Sequence, residues 1–264
     1  MKLLQKRKDK LLKFVRQRIG FIFALVVLLI LLFAGPYIQG NYFISAVSQT
    51  VRLLPVYEVD TPKKQLSISF DASWGAEKTE KILDILDKYE IKTTFFLVNI
   101  WINDYPEMAR EIASRGHEIG LHSVTHPNFT SLTDEQITQE LNDNYQLIKE
   151  VTGQEAVLFR PPFGDYNNNV IEKCQNLGFM PIQWSIDSLD WKDLSATEIE
   201  ERVMKDIGQG DIVLFHNNGK HTAEALDPIL KQLTEEHNLE IVPISELLLK
   251  DNWYVDYNGV QRNK

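Results

Sequence analysis

Two histidines four positions apart are the first residues in this sequence that could hold a metal ion. His122 and His126 follow a short apolar run, residues 118–121, that is typical of a β-strand. Neutral imidazole is the commonest nitrogen ligand of divalent cations, and two imidazoles in one tight loop can face the same ion. The spacing alone is weak, because such pairs are more often solvated or packed in a core. The metal hypothesis therefore depends on the polar residues that join this pair.

A carboxylate and a guanidinium are the next candidates. Asp71 ends an apolar run, where it is either a cap of the following helix or a general base. Arg160 begins the stiff turn Arg160-Pro161-Pro162-Phe163-Gly164, in which the prolines restrict the backbone. Its guanidinium either keeps Asp71 ionised and oriented through fork geometry or forms an ordinary loop salt bridge.

A further histidine and two acids complete the set. Asp187 and Asp190 precede Trp191 beyond a predicted strand, and His216 ends another apolar strand. The acids are either turn and capping residues or partners that fix the tautomer of a histidine and raise its pKa. His216 is either a packed core histidine or, beside a metal, a proton donor. The remaining histidines have no such setting, and we expect them to be structural or solvated.

Strand and helix patterns alternate seven times from residue 66 onward and must position these groups. The predicted strands are residues 66–70, 93–98, 117–121, 157–159, 179–184, 211–215 and 239–242. The predicted helices are residues 76–89, 106–115, 133–153, 168–177, 196–207, 222–236 and 245–250. Thr133 and Gln136 form a potential capping box, and Gly153 ends that helix. This alternation predicts a parallel α/β sheet, either closed into a barrel or doubly wound.

The positions of the polar residues favour the barrel. Five of them come at or just after the C-terminal end of a predicted strand: Asp71, His122, Arg160, Asp187 and His216. In parallel α/β architectures, ligands bind at that edge of the sheet. A barrel gathers all five around one mouth, whereas an open sheet leaves some at its margins. We therefore expect a barrel-like closure.

The N-terminal part of the chain predicts a membrane anchor. Residues 1–18 carry eight Lys or Arg and one Asp, and residues 19–38 form an uncharged apolar run. About 20 apolar residues span a bilayer. The basic flank then lies in the cytoplasm, and the rest of the chain lies outside the cell membrane. A cleaved signal peptide is the rival interpretation, but no clean small-x-small site follows the run.

The remaining chain divides into three predicted parts. Residues 39–63 lack clear periodicity and are predicted to be a linker, and residues 64–250 form one large domain. Residues 251–264 form a tail whose aromatic residues pack as a strap or stack on sugars, and we favour packing. The net charge of −9 argues against nucleic acid as a partner. A single cysteine, Cys174, excludes an intrachain disulfide, so core packing must hold the fold.

Taken in order, these motifs resemble those of the polysaccharide deacetylase family, also called the NodB-homology or carbohydrate esterase family 4 domain. The motifs are Phe70-Asp71, His122-Ser-x-x-His126, Arg160-Pro-Pro-x-Gly164, Asp187-x-x-Asp190-Trp191 and Leu214-x-His216. The resemblance covers residues 64–250. The Asp-x-Ser-Trp-Gly form of the first motif, with the anchor, is most similar to the PdaB-like sporulation branch. The family resemblance implies a distorted (β/α)7 barrel. It also implies an enzyme that removes N-acetyl groups from GlcNAc or MurNAc in cell-wall polysaccharide.

The resemblance also implies a role for each motif residue. Asp71 would be the general base and Arg160 the residue that orients it, while Asp190 would tune the general acid His216. A divalent metal, Zn²⁺, is implied as the cofactor.

By the same resemblance, His122 and His126 would be the metal ligands. The implied substrate contacts are Trp74, Phe163, Trp191 and Leu214.

One position departs from the family pattern. Most active members carry a second Asp directly after the base as the third metal ligand, and here that position is Ala72. Asp71 itself, another acid such as Glu77, or water then completes the metal shell, or the metal is lost.

Two hypotheses of different class follow. The chain is either a membrane-anchored, metal-dependent glycan N-deacetylase or a glycan-binding pseudoenzyme that keeps the fold without turnover. The presence of a base, an acid and their orienting partners favours the enzyme, since a binding protein has no need of them at one mouth. Hydrolysis of a different amide or ester on a cell-wall glycan is equally compatible with these residues.

Overall fold

The computed structural model describes residues 18–19, 21–30 and 52–264. The chain divides into two units, Met1–Val51 and Arg52–Lys264. In the first unit, the described residues are helical. No helix formed by the described residues is long and apolar enough to cross a membrane. Much of the predicted anchor, residue 20 and residues 31–38, lies outside the described residues, as do most of the basic segment and the start of the linker.

Parallel strands form the centre of the second unit. The strands in chain order are β1 (Glu58–Val59), β2 (Gln65–Ala72), β3 (Thr94–Leu97), β4 (Glu118–Leu121), β5 (Leu158–Phe159), β6 (Met180–Pro181), β7 (Ile186–Asp187), β8 (Ile212–His216), β9 (Glu240–Ile241), β10 (Trp253–Val255) and β11 (Val260–Asn263). The main sheet has the spatial order β6-β5-β4-β3-β2-β8-β7, with β9 also paired to β2. All of these pairs are parallel, so the predicted α/β class is confirmed.

The sheet is a parallel half-barrel, and its path ends at β6 and β7. These two strands are joined by residues 182–185 and are not paired with each other in the part of the chain that the structure describes. The link changes partners along its length. The N–H of Gln183 donates to the carbonyl of Val56, and the N–H of Ser185 donates to the carbonyl of Ile212. One predicted strand, residues 179–184, is therefore replaced by two short ones on either side of this link.

Helices lie between the strands. They are α1 (Thr79–Lys88), α2 (Asn99–Asp104), α3 (Pro106–Ser114), α4 (Asp134–Thr152), α5 (Asn168–Asn176), α6 (Ala196–Met204), α7 (Thr222–Lys231) and α8 (Ile244–Leu247). The capping box predicted for α4 is present, because the Thr133 hydroxyl accepts from the N–H of Gln136 and the Gln136 side chain accepts from the N–H of Thr133. Gly153 ends that helix with φ of 77°, the left-handed conformation that glycine adopts without strain.

Alternation along β2 separates the core from a polar interior. Leu66, Ile68, Phe70 and Ala72 belong to the main hydrophobic core, whereas the residues between them are Ser or Asp and are also buried. Because successive side chains of a strand point to opposite faces, one face of β2 packs in the core and the other carries polar groups. On the core face, the ring centroids of Phe70 and Phe95 are 4.9 Å apart. The thiol of Cys174 is buried, and burial raises its pKa.

A second, three-stranded sheet joins the two ends of this unit. Its order is β1-β11-β10, with β11 parallel to β1 and antiparallel to β10. β1 lies in the segment predicted as a linker, and β10 and β11 lie in the predicted tail. The backbone of the tail therefore pairs with the rest of the unit. Of the tail's three aromatic side chains, Tyr254 and Tyr257 are exposed and Trp253 is partly buried.

Candidate functional site

A cavity of about 680 Å³ opens at the C-terminal ends of β2, β4, β7 and β8. The structure brings nine of the ten predicted site residues to its lining: Asp71, Trp74, His122, His126, Phe163, Asp190, Trp191, Leu214 and His216. The tenth, Arg160, is fully buried and bonded to Asp71. All the motif residues therefore meet at the edge of the sheet at which they were expected.

Arg160 holds Asp71 in place beneath the cavity. Its Nη1 donates to Oδ1 of Asp71 at 2.8 Å, and its Nη2 donates to Oγ of Ser69 at 2.8 Å and to the carbonyl of Gln183 at 3.1 Å. The guanidinium carbon also lies 4.1 Å from the ring centroid of Phe96. Burial by itself would raise the pKa of Asp71, but Arg160 and the nearby histidines keep that pKa below its ordinary value. Asp71 is thus an ionised, oriented carboxylate.

His122 is oriented by the same segment. Its Nδ1 lies 2.8 Å from the carbonyl of Arg160, which can only accept, so Nδ1 carries the proton. Nε2 is then the unprotonated nitrogen, and it lies 3.5 Å from Oδ2 of Asp71. The N–H groups of His122 and Ser123 both donate to Oδ1 of Asn144, which fixes the start of the loop.

His126 lies across the cavity floor from His122, with ring centroids 5.0 Å apart. Its backbone has a φ of 56°, and its N–H donates to Oγ of Ser123. Burial lowers the pKa of both histidines, that of His126 to about 4. Both imidazoles are therefore neutral near pH 7, which is the form that binds metal.

The donors present match part of a metal site. Two neutral imidazoles face one cavity, and His122 has the outer hydrogen bond that metal-ligating histidines usually make. Ala72 is fully buried in the core, and Glu77 is exposed and does not line the cavity. In residues 18–19, 21–30 and 52–264, no group of three or more His, Cys, Asp and Glu is arranged to hold a metal ion. The site therefore offers two nitrogen atoms to a metal ion and lacks the carboxylate that is the third ligand in the family pattern.

His216 and Asp190 form a second pair on the other side of the cavity. Oδ1 of Asp190 lies 2.7 Å from Nδ1 of His216, and Oδ2 accepts from the N–H of His216 and from the hydroxyl of Thr222. Burial opposes charging of His216, but its hydrogen bond to Asp190 and the Asp190 charge raise its pKa above the ordinary value. With Nδ1 held by Asp190, Nε2 is the nitrogen left to the cavity.

Asp187 has a different environment. Its Oδ1 accepts from the N–H of Leu189, and its carbonyl accepts from Nε of Arg202. Asp187 thus shapes the turn between β7 and Asp190, the residue that bonds to His216. Of the two roles that the sequence left open for these acids, Asp187 has the turn role.

Aromatic side chains surround the opening. Trp74, Phe163 and Trp191 are 64%, 65% and 56% exposed, although all three line the cavity. The rings of Trp74 and Phe163 meet the ring of His126 edge-on at 5.1 and 4.5 Å. Leu214 is buried in the wall. Exposed aromatic rings around a polar floor are suited to binding a sugar, which has apolar faces and polar edges.

Sequence reasoning missed several residues of the cavity lining. These are Trp184, Asp193, Asn217, Asn218, Gly219 and Lys220, together with Ser73, which the first motif contained without an assigned role. Asn217 donates from Nδ2 to the carbonyl of Gly75 and to Oγ1 of Thr79, and so joins the loop after β8 to the loop after β2. The signal in the sequence was the polar run directly after His216, at the same strand end as the proposed acid.

Comparison with known proteins identifies the family. The family described as "Polysaccharide deacetylase" matches residues 58–182. A peptidoglycan-N-acetylglucosamine deacetylase of Bacillus cereus is 31% identical over 197 residues, which cover 73% of this chain and 92% of that protein. The chain belongs to the polysaccharide deacetylase family.

Two further relatives are a deacetylase and a pseudoenzyme. The peptidoglycan-N-acetylmuramic acid deacetylase PdaC of Bacillus subtilis is 33% identical over 72% of this chain. The crystal structure of BA3943, a CE4 family pseudoenzyme from Bacillus anthracis, aligns with a TM-score of 0.70 and 33% identity over 73% of this chain and 68% of that one. The chain spans about half the length of the first curated relatives, 57% of YlxY and 40% of PdaC.

Proposed function

We propose that this chain removes N-acetyl groups from GlcNAc or MurNAc residues of peptidoglycan or a chitin-like cell-wall glycan. The observation that carries the proposal is the pairing of two proton-transfer groups across one cavity, Asp71 with Arg160 and His216 with Asp190. Their pKa values are moved in opposite directions, so that one is ionised while the other is protonated. Relatives named as peptidoglycan deacetylases support the substrate class.

The residues of the chain would perform the hydrolysis in successive steps. Asp71, held by Arg160, accepts a proton from a water molecule that attacks the acetamide carbonyl. The backbone N–H of Phe163 stabilises the oxyanion, and Nε2–H of His216 protonates the departing amine. Acetate and a free amino sugar leave.

Two sets of side chains would place the reactants. Trp191 and Leu214 would enclose the acetyl methyl group, and Trp74 with the ring of Phe163 would contact the sugar. His122 and His126 would hold a divalent cation such as Zn²⁺, which supplies Lewis-acid polarisation of the carbonyl and of water.

A glycan-binding pseudoenzyme is the second candidate, and specific observations favour it. The third ligand position of the family is Ala72, and solved structures of BA3943, to which the chain is similar, are described as those of a pseudoenzyme. In this alternative the aromatic rim and the polar floor bind sugar without turnover.

The location of the protein is part of the proposal. The uncharged run at residues 19–38 and its basic flank support a single-pass anchor, with residues 64–250 as the deacetylase domain outside the cell membrane. An extracytoplasmic site would give access to the cell wall on which the named relatives act. The first motif supports the assignment of this chain to the PdaB-like sporulation branch of the family.

The test combines metal content and acetate release on the full chain in detergent. Acetylated chito-oligomers and peptidoglycan fragments serve as substrates, and Asp71→Asn, His122→Ala and the exposed-site control His237→Ala serve as variants. The proposal expects bound metal and acetate release for the parent and for His237→Ala, and no acetate for the other two. A folded parent that binds glycan and releases no acetate would establish the pseudoenzyme alternative.

A further inference from the structure

We propose that the hydroxyl of Ser73 is the third protein ligand of the metal site, in place of the carboxylate that Ala72 lacks. The inference rests on the proposed function, because it concerns the cation that His122 and His126 would hold. It concerns a residue of the first motif to which the family resemblance assigns no role.

The alternation of β2 places Ser73 on the face of the strand that carries the base. Ser69 and Asp71 both bond to Arg160, so the odd-numbered residues of β2 point toward the polar interior. Ala72 packs with the core on the other face. Continued by one residue past the end of β2, the alternation brings Ser73 to the side of Asp71, and Ser73 does line the cavity.

Ser73 also lies between the residues that touch the two histidines. Asp71, two positions before it, approaches His122 to 3.5 Å. Trp74, directly after it, meets the ring of His126 at 5.1 Å between centroids. Ser73 thus lines the same cavity as both imidazoles and lies, in the chain, between the two residues that approach them.

The hydroxyl of Ser73 has no hydrogen-bond partner, although it is buried. The residue is 7% exposed, and its Oγ is among the few buried side-chain oxygens without a partner in residues 18–19, 21–30 and 52–264. By contrast, the other serines on this face of β2 are bonded: Ser67 donates to the carbonyl of Val242 and Ser69 to that of Val213. A buried hydroxyl without a partner destabilises the fold, and a bound cation would remove that cost. Serine oxygen is an established cation ligand, as in phosphate-binding loops that hold Mg²⁺.

The test measures metal binding by the full chain and does not depend on turnover. Zn²⁺ affinity is determined by competition with a chelator, and Co²⁺ serves as a spectroscopic probe. The variants are Ser73→Ala, Ser73→Cys and the control Ser67→Ala, which removes a buried hydroxyl from the same face at the distant end of β2. Thermal melting confirms that each variant is folded.

Direct ligation predicts that Ser73→Ala weakens Zn²⁺ binding at least about tenfold, while Ser67→Ala leaves it unchanged. Ser73→Cys should add a thiolate-to-Co²⁺ charge-transfer band that disappears when His122→Ala is combined with it. A merely structural role for Ser73 would not produce that band. Unchanged affinity in Ser73→Ala, absence of the band, or a parent that binds neither metal would overturn the inference. If the metal results hold and no acetate is released, the proposed function fails while the ligand assignment stands.

Discussion

At the scale of the residue, the pairing of His216 with Asp190 fixes the alkaline limit of activity. His216 must carry a proton to donate it, and Asp190 keeps its pKa raised, so activity should fall as the pH rises through that raised value. Asp190→Asn removes the negative charge and lowers the pKa of His216. We expect the alkaline limb of the kcat/KM profile for acetate release to move to lower pH by about one unit or more.

The matched variant for this prediction is Asp187→Asn. Asp187 contributes less than Asp190 to the raised pKa of His216, and it bonds to the backbone of its own turn. The alkaline limb of the kcat/KM profile should move much less in Asp187→Asn than in Asp190→Asn. Equal displacement in both variants would contradict a specific role for Asp190.

The buried ion pair of Asp71 and Arg160 predicts a large stability effect from removal of one partner. Arg160→Met leaves Asp71 as a buried charge without its guanidinium, which should lower the free energy of unfolding by about 3–5 kcal/mol. In the double variant with Asp71→Leu, much of this loss should be recovered, because the uncompensated charge is gone. Urea denaturation of the two variants measures the difference.

A surface arginine provides the control. Arg115 bonds to Asp84, Asp87 and Glu111, all of which are partly exposed to solvent. Arg115→Met should cost about 1 kcal/mol or less, because exposed ion pairs contribute little. Equal losses of the free energy of unfolding in Arg160→Met and Arg115→Met would contradict the cost that we expect for an unpaired buried charge.

At the scale of the element, the junction of β3 and β4 carries a buried titrating group. His117 precedes β4, its Nδ1 accepts from the N–H of Thr93, and its buried Nε2 has no partner. Burial lowers its pKa to about 4. The unfolded chain therefore binds a proton below about pH 6.5 that the folded chain does not, and stability should fall by up to about 3 kcal/mol between pH 6.5 and pH 4.

Replacement of this histidine tests the assignment. His117→Asn keeps an acceptor near the position of Nδ1 but does not titrate, so its free energy of unfolding should depend less on pH in this window. Urea denaturation at several pH values measures the slope. A variant with the slope of the parent would show that other groups, such as His126, carry the acid sensitivity.

Most elements near the site were predictable from the sequence, and the exceptions have physical causes. The capping box at Thr133 and the glycine at Gly153 are local signals, which the structure confirms. β7 has two residues, too few for any periodicity, and its pairing depends on the distant β8. Ser73 stands in the first motif, but its position on the polar face was not predicted, because the apolar residues of the run hide the alternation of Ser and Asp along β2. Its burial without a partner is a property of the fold alone.

At the scale of the whole molecule, the order of the motifs predicted which groups meet, since the carboxyl ends of parallel strands share one edge. It did not predict the half-barrel, because the change of partners between β6 and β7 depends on long-range hydrogen bonds. The same holds for the second sheet, in which the paired strands β1 and β11 lie about 200 positions apart in the chain.

That second sheet predicts that the C-terminal residues stabilise the fold. Between β1 and β10, the central strand β11 carries Gln261, which is fully buried. Its Oε1 accepts from the N–H of Leu249, and its carbonyl accepts from the N–H of Asp60. Deletion of residues 251–264 removes the partners of the Leu249 and Asp60 N–H groups and the strand that pairs with β1. We expect the melting temperature to fall by several degrees, at about 2–4 °C for each kcal/mol lost.

The deletion also separates packing from sugar stacking as the role of the tail. No residue of the tail lines the cavity, so KM for acetate release should be unchanged at temperatures well below the melting transition. Tyr257, 88% exposed, supplies the control, and Tyr257→Ala should alter neither stability nor KM. A truncated chain that melts like the parent but has a raised KM would mean that the tail binds glycan. Because the backbone of β11 pairs on both sides, we expect the loss of stability instead.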